Sequence, residues 1–101
     1  MKQLKGKARE DFIKWIEIKY PDFEIGFLNH IEPSFMFGVI QDFFDEMSID
    51  INVYLTVGGY RGCIEHIISK EEGFTGVCKS RKKARKKAIK LASNYYNELN
   101  K

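Results

Sequence analysis

Residues 49–59 read IDINVYLTVGG. Ile49, Ile51, Val53, Leu55 and Val57 alternate with Asp50, Asn52, Tyr54 and Thr56. That period of two belongs to a strand with one buried and one solvated face. Gly58-Gly59 follows as a two-residue hairpin signal, because both central positions of a type I′ turn need positive φ. Residues 60–69 then read as the returning strand, Lys70-Glu71-Glu72-Gly73 as a second turn and residues 74–79 as a short third strand. A three-stranded antiparallel meander must cover one of its faces, and the flanking sequence supplies helices to do so.

Residues 7–19 place Ala8, Phe12, Trp15, Ile16 and Lys19 at helical spacing, and Pro21 disfavours helical geometry at Tyr20 and stops the run there. Trp15, the only Trp, sits on this apolar stripe and reads as core rather than as a ligand platform. Ser34 is the expected N-cap of a second helix that continues to about Met47. Its apolar face is Met36, Ile40, Phe43, Phe44 and Met47, widened by Phe35 and Val39, with Gln41, Asp42, Asp45 and Glu46 outside. Ser80 caps the last helix, whose stripe is Ala84, Ala88, Leu91, Ala92, Tyr95 and Leu99. Between the first two helices, Phe23, Ile25 and Phe27 alternate with polar residues and allow a short extended piece, and His30 reads as a surface or hydrogen-bonded residue. The expected fold is α+β, in the order α-α-β-β-β-α, with helices packed on one face of the meander. The 101 residues suffice for a single domain, the helix at about 7–20 being an addition to an α-β-β-β-α unit at about 34–98.

Charge is segregated along the chain. Residues 1–21 carry +3, residues 22–72 carry −8 (2 basic, 10 acidic) and residues 73–101 carry +8 (9 basic, 1 acidic). Eight of the fourteen residues from Lys79 to Ala92 are basic: Lys79, Arg81, Lys82, Lys83, Arg85, Lys86, Lys87 and Lys90. Cations in a first helical turn oppose the helix dipole, at about 0.3–1 kcal/mol each when exposed. Phosphate is the simplest group that repays such a placement. The acidic residues Asp45 and Glu46 stand late in the second helix, also against the dipole. Compensation between the two clusters, within one molecule or across a dimer, is the competing explanation.

Other classes are set aside on chemistry. No run approaches the ~18 apolar residues of a membrane span, and MKQLKGKARED has no signal-peptide core. A cytoplasmic protein without a membrane partner is therefore expected. Cys63 and Cys78 suit a reducing compartment as structural thiols. Cys63 and His66 form a C-x-x-H pair, but residues i and i+3 of a strand point to opposite faces, so no metal site is expected. Gly58, Gly59 and Gly62 lack the Lys-Ser/Thr and helix of a phosphate-binding loop. The carboxylates have no apolar pocket to raise a pKa. Neither an enzyme nor a cofactor is expected.

An α-β-β-β-α order whose last helix opens Ser80-Arg81-Lys82-x-Ala84-Arg85-x-x-Ala88, followed by Leu91 and Ala92, resembles the double-stranded-RNA-binding domain. The resemblance covers about residues 34–95. It implies that the N-terminal part of the last helix lies across a major groove, with Arg81, Lys82 and Arg85 on phosphates and Lys79 and Lys86 beside them. The family's Gly-Pro-x-His hairpin is replaced here by Gly58-Gly59-Tyr60-Arg61, and its RNA-facing first helix here presents Asp42, Asp45 and Glu46. The chain also resembles small phage and gut-bacterial proteins of unknown function, whose last helices are rich in Lys and Ala. Two functional expectations result. One is a non-catalytic module that grips the backbone of duplex RNA or DNA. The other is a protein-interaction, accessory or inhibitor module whose charged faces dock on a partner or on a second copy.

Overall fold

The computed structural model describes residues 2–22 and 32–101, so the extended piece at Phe23–Phe27 and His30 lie outside the described residues. The elements are α1 (Gly6–Lys19), α2 (Pro33–Glu46), β1 (Ile49–Thr56), β2 (Gly59–His66), β3 (Glu72–Phe74) and α3 (Arg81–Leu99). The strands form one antiparallel sheet in the order β1-β2-β3. Together they realise the α+β order read from the sequence.

Both α2 and α3 pack against one sheet face, over Ile49, Ile51 and Ile64, all buried. The approach is closest at Gly62 of β2. A Cβ built there meets Ala88 Cβ at 2.8 Å, Thr75 Cγ2 at 3.0 Å and the Ala84 carbonyl oxygen at 3.2 Å. Ala84 and Ala88 are themselves fully buried, so small residues on both sides let the helix lie directly on the strand. The buried seam of α3 is Ala84, Ala88, Ile89, Ala92, Ser93 and Tyr96. It is rotated from the expected stripe: Leu91 and Tyr95 are half-buried and Leu99 is 50% exposed. The rotation follows from α1, which packs on the flank of α3 and needs Ser93, Tyr96 and Asn97 turned toward it.

The first helix buries Ala8, Phe12 and Ile16, one residue per turn, and Leu4 just ahead of it is buried as well. Phe12 meets Phe43 edge-on at 5.5 Å between centroids, and Phe43 and Phe44 both contact the Tyr96 ring. Trp15 is half-buried at the rim of this aromatic cluster, where its indole N–H donates to Glu46 Oε2 at 2.6 Å. The N-cap residue of α1, Lys5, supplies no side-chain cap. The cap comes instead from α3: Asn97 Oδ1 accepts the Ala8 N–H at 2.8 Å, and Ser93 Oγ accepts the Lys5 N–H at 3.1 Å.

Several expected boundaries move. In α2 the cap position is Glu32 rather than Ser34, because Pro33 occupies the first helical position. Proline suits that site, with φ preset and no N–H to satisfy. The hairpin closes on the pair Thr56↔Gly59, so its two loop residues are Val57 and Gly58, not Gly58 and Gly59. Gly59 has φ +140° and a Cβ there would lie 2.3 Å from the Cys78 carbonyl oxygen, so the glycine is required by the incoming chain. The second strand ends at His66, and Ile67–Ser69 turn. The third strand is Glu72–Phe74 rather than residues 74–79. Beyond it Thr75 N–H still bonds Gly62 O at 2.9 Å, but the next bridge is Tyr60↔Cys78. Two residues, Gly76 and Val77, thus stand opposite Arg61 alone, a bulge that ends regular pairing. Burial of the β1 face also stops short. Val53 is half-buried, while Leu55 is 67% exposed and Val57 fully exposed, because the strands outrun the helix layer.

Two stability predictions follow from this packing. Gly62→Ala is expected to destabilise by about 1–3 kcal/mol, the range of core overpacking. Gly38→Ala, where a Cβ meets nothing within 4 Å inside α2, is expected to stabilise by about 0.5–1 kcal/mol; urea midpoints of both variants check the pair. The second concerns Tyr96, whose hydroxyl donates to Asp11. Burial pushes the Asp11 carboxyl up, but the Tyr96 hydrogen bond and the charges of Lys7 and Lys14 outweigh it and hold the group below its ordinary value. Burial, then the bond to Asp11 and its charge, push the Tyr96 hydroxyl up to about 12. The depressed Asp11 contributes stability above its unfolded pKa of about 3.9, lost as pH falls through its lower folded value. The raised Tyr96 contributes below its unfolded pKa of about 10, lost as pH rises toward the folded one. Tyr96→Phe should therefore lower stability by about 1.5 kcal/mol at neutral pH and flatten both flanks of a stability–pH curve measured by urea melts.

Candidate nucleic-acid interface

The basic helix starts where expected. Ser80 is extended and its Oγ accepts the Lys83 N–H at 3.2 Å, which leaves the N–H groups of Arg81 and Lys82 facing outward from the first turn. Lys79, Arg81, Lys82 and Lys86 are exposed, and Arg85 is half-buried. The two arginines turn to opposite flanks. The Arg81 guanidinium lies 5.1 Å from the centre of the Tyr60 ring, at the start of β2. The Arg85 guanidinium lies 5.3 Å from the centre of the Phe37 ring, and its Nη1 donates to Ser34 Oγ at 3.3 Å. Such stacking restricts long side chains without consuming their hydrogen-bonding edges.

The other three cations of the stretch extend the surface beyond the five candidate contacts. Lys83, Lys87 and Lys90 are exposed on the outer side of α3, between the buried seams, and continue the line begun by Lys82 and Lys86. Lys87 and Lys90 also line a shallow open groove of about 260 Å³ beside Phe74 and Asn94. Helical periodicity already placed these three opposite the alanines. Tyr60 and Phe37 carried no such signal, because their role depends on strand–helix and helix–helix juxtaposition.

Among the described residues, no carboxylate lies within ion-pair distance of any Lys or Arg between 79 and 90; the ion pairs are Lys7–Asp11, Lys19–Glu46 and Lys101–Glu98. The reason lies in helix direction. Phe37 and Ser34 of α2 meet Arg85, and Phe43 and Phe44 meet Tyr96, so α2 and α3 run in the same direction. Their N-termini lie together. Asp42 lies about 8 Å along the axis from Phe37 at 1.5 Å per residue, and Asp45 and Glu46, at the far end of α2, lie about 12 Å or more from it. For Asp45 and Glu46 that exceeds the Debye length of about 8 Å in physiological salt. The acidic groups act on one another instead: burial pushes the Asp45 carboxyl up, and the charges of Asp50 and Asp42 add to the shift.

The remaining chemical candidates are placed as follows. Cys63 lies beside Phe74 on the sheet face turned away from α2 and α3, whereas His66 packs against Tyr95 of α3, so the pair cannot share one ion. Burial, then the charges of Glu72, Asp50 and Glu65, push the Cys63 thiol up, away from the reactive thiolate. Arg61 stacks on Phe74 at 4.8 Å and donates to Thr75 O, which withdraws it from the hairpin. No helix among the described residues is long and apolar enough to cross a membrane. Comparison with protein-family models, with curated proteins and with solved structures finds no match to this chain.

Proposed function

We propose that this chain is a non-catalytic module that binds the phosphate backbone of a duplex nucleic acid through the N-terminal half of α3, with Lys79, Arg81, Lys82, Arg85 and Lys86 as contacts. The observation that carries this is the concentration of exposed cations at the positive end of a helix, without carboxylate partners among the described residues. Such an arrangement opposes the dipole and is self-repelling until an anion arrives. The parallel α2 brings a second helix N-terminus to the same place, which strengthens the field. Binding of this kind reads backbone rather than bases, so it is insensitive to sequence. A second reading, a protein-interaction module, is favoured by a separate observation: Phe35, Leu55, Val57 and Val77 are all more than half exposed.

Three to five phosphate contacts predict a slope of about −3 to −4.5 for log affinity against log salt on a duplex. Changing Arg81, Lys82 and Arg85 to Gln is expected to flatten that slope by nearly three units and remove most binding. Loss of two arginine–aromatic contacts, at about 0.5–1 kcal/mol each, offsets relief from the dipole, so the variant's melt should stay close to that of the parent. Asp45→Asn should change affinity less than twofold, since that charge is screened. Titration of a fluorescent duplex at several salt concentrations measures all three, and no binding by the parent at about 50 mM salt refutes the proposal.

A further inference from the structure

We propose that the groove between α3 and the outer edge of β3 is a peptide-binding site, which takes an extended acidic segment of a partner protein as a fourth strand of the sheet. The strand order leaves β3 as an edge. Its register fixes which backbone groups are free. Thr75 N–H bonds Gly62 O and His66 N–H bonds Glu71 O, so Glu71, Gly73 and Thr75 face β2. The N–H and C=O groups of Glu72 and Phe74 therefore point outward, and among the described residues nothing bonds them. A row of alternating donors and acceptors is matched by another peptide backbone, whereas phosphate oxygens answer only the donors. The row is short, bounded by the turn at Ile67–Ser69 and the bulge at Gly76-Val77, so it suits a short linear segment rather than the long edge of another sheet.

The wall of the groove selects the segment. The last helix runs lengthwise along β2, with Arg81 over Tyr60 at one end and Tyr95 against His66 at the other. Lys87, Lys90, Leu91 and Asn94, spaced by three and four, form one stripe on its flank and line the groove beside Phe74. Leu91 is half-buried over Gly73, where a Cβ would meet its Cδ2 at 3.3 Å. Lys87 and Lys90 are exposed, and among the described residues no carboxylate pairs with either. The Glu72 carboxylate lies on the other sheet face, beside Cys63. Lys87 and Leu91 stand about 6 Å apart along the helix axis, and alternate residues of a strand about 6.6 Å apart. A strand added to β3 thus sets one side chain under the two lysines and the next on the same face against Leu91. The lysines call for a carboxylate and Leu91 for an apolar group, so the recognised pattern is an acidic and an apolar residue separated by one.

This site does not depend on duplex binding, whose five contacts exclude Lys87 and Lys90, and it is measured without nucleic acid. A random heptapeptide display library panned against the full chain should enrich sequences with Asp or Glu two places from Val, Ile or Leu. A labelled synthetic peptide of the enriched sequence should lose at least tenfold in affinity, by fluorescence anisotropy, on Lys87→Glu with Lys90→Glu, with an unchanged melt because both side chains are exposed. Glu72→Pro removes one outward N–H and spares the ladder to β2. It also removes a negative charge, yet it should weaken the peptide at least tenfold. Where Glu72→Pro alters the melt, amide exchange on the parent decides instead: added peptide should slow exchange at Glu72 and Phe74, and no slowing overturns the proposal. A library that enriches no such pattern overturns it, as do enriched peptides whose binding survives either the lysine changes or a folded Glu72→Pro variant. A dimer of the chain alone, seen by sedimentation and dissociated by Glu72→Pro, overturns it as well by giving the edge to a second copy.

Discussion

The contact on which the rest of the molecule depends is the seating of α3 on β2, where Ala84 and Ala88 lie against Gly62. With side chains of ordinary size at these positions, helix and strand would stand farther apart. The close approach fixes the height of the last helix above the sheet. It thereby decides that Arg81 reaches the Tyr60 ring and that Leu91 fits over Gly73. The bulge serves the same contact. Thr75 bonds Gly62 through both its N–H and its hydroxyl, and the additional residue beyond it returns the chain to Tyr60 before α3 begins.

Once α3 is seated, its second half organises the N-terminus. Ser93 is fully buried and polar, a position that is unfavourable unless hydrogen-bonded. It is bonded to the backbone of Lys5, while Asn97 holds Ala8 and Lys5 and Tyr96 holds Asp11. A helix with no cap of its own is capped by another helix nearly ninety residues away in sequence. This ties α1 to the fold by specific polar contacts as well as by the Phe12, Phe43 and Tyr96 cluster.

The parallel course of α2 and α3 gives the molecule its electrical character. Antiparallel neighbours would have set the acidic end of α2 beside the cationic start of α3, and the two would have neutralised each other. The parallel arrangement separates them, adds the positive ends of two helix dipoles and leaves the acidic end of α2 to repel itself around Asp45. The opposed charges thus stand at opposite ends of the helix layer.

Much of the architecture was legible in the chain itself. Alternation in 49–56 named β1, Ser80 and the alanines named α3, and Pro21 marked the end of α1, because each depends only on neighbours within a turn or a pleat. The cationic line of α3 was legible for the same reason. What the sequence could not decide was everything set by distant juxtaposition. Leu55 and Val57 carry the same signal as Ile49 and Ile51, yet no helix reaches them, since burial depends on where the covering layer ends. The third strand ended early because Gly76-Val77 bulged toward a helix start that only the packed fold positions. Nothing local marks Ser93 and Asn97, whose bonds exist only because α1 is laid against them. Whether opposite charges cancel or stand apart was decided by helix direction, a property of the packed layers that no local pattern encodes.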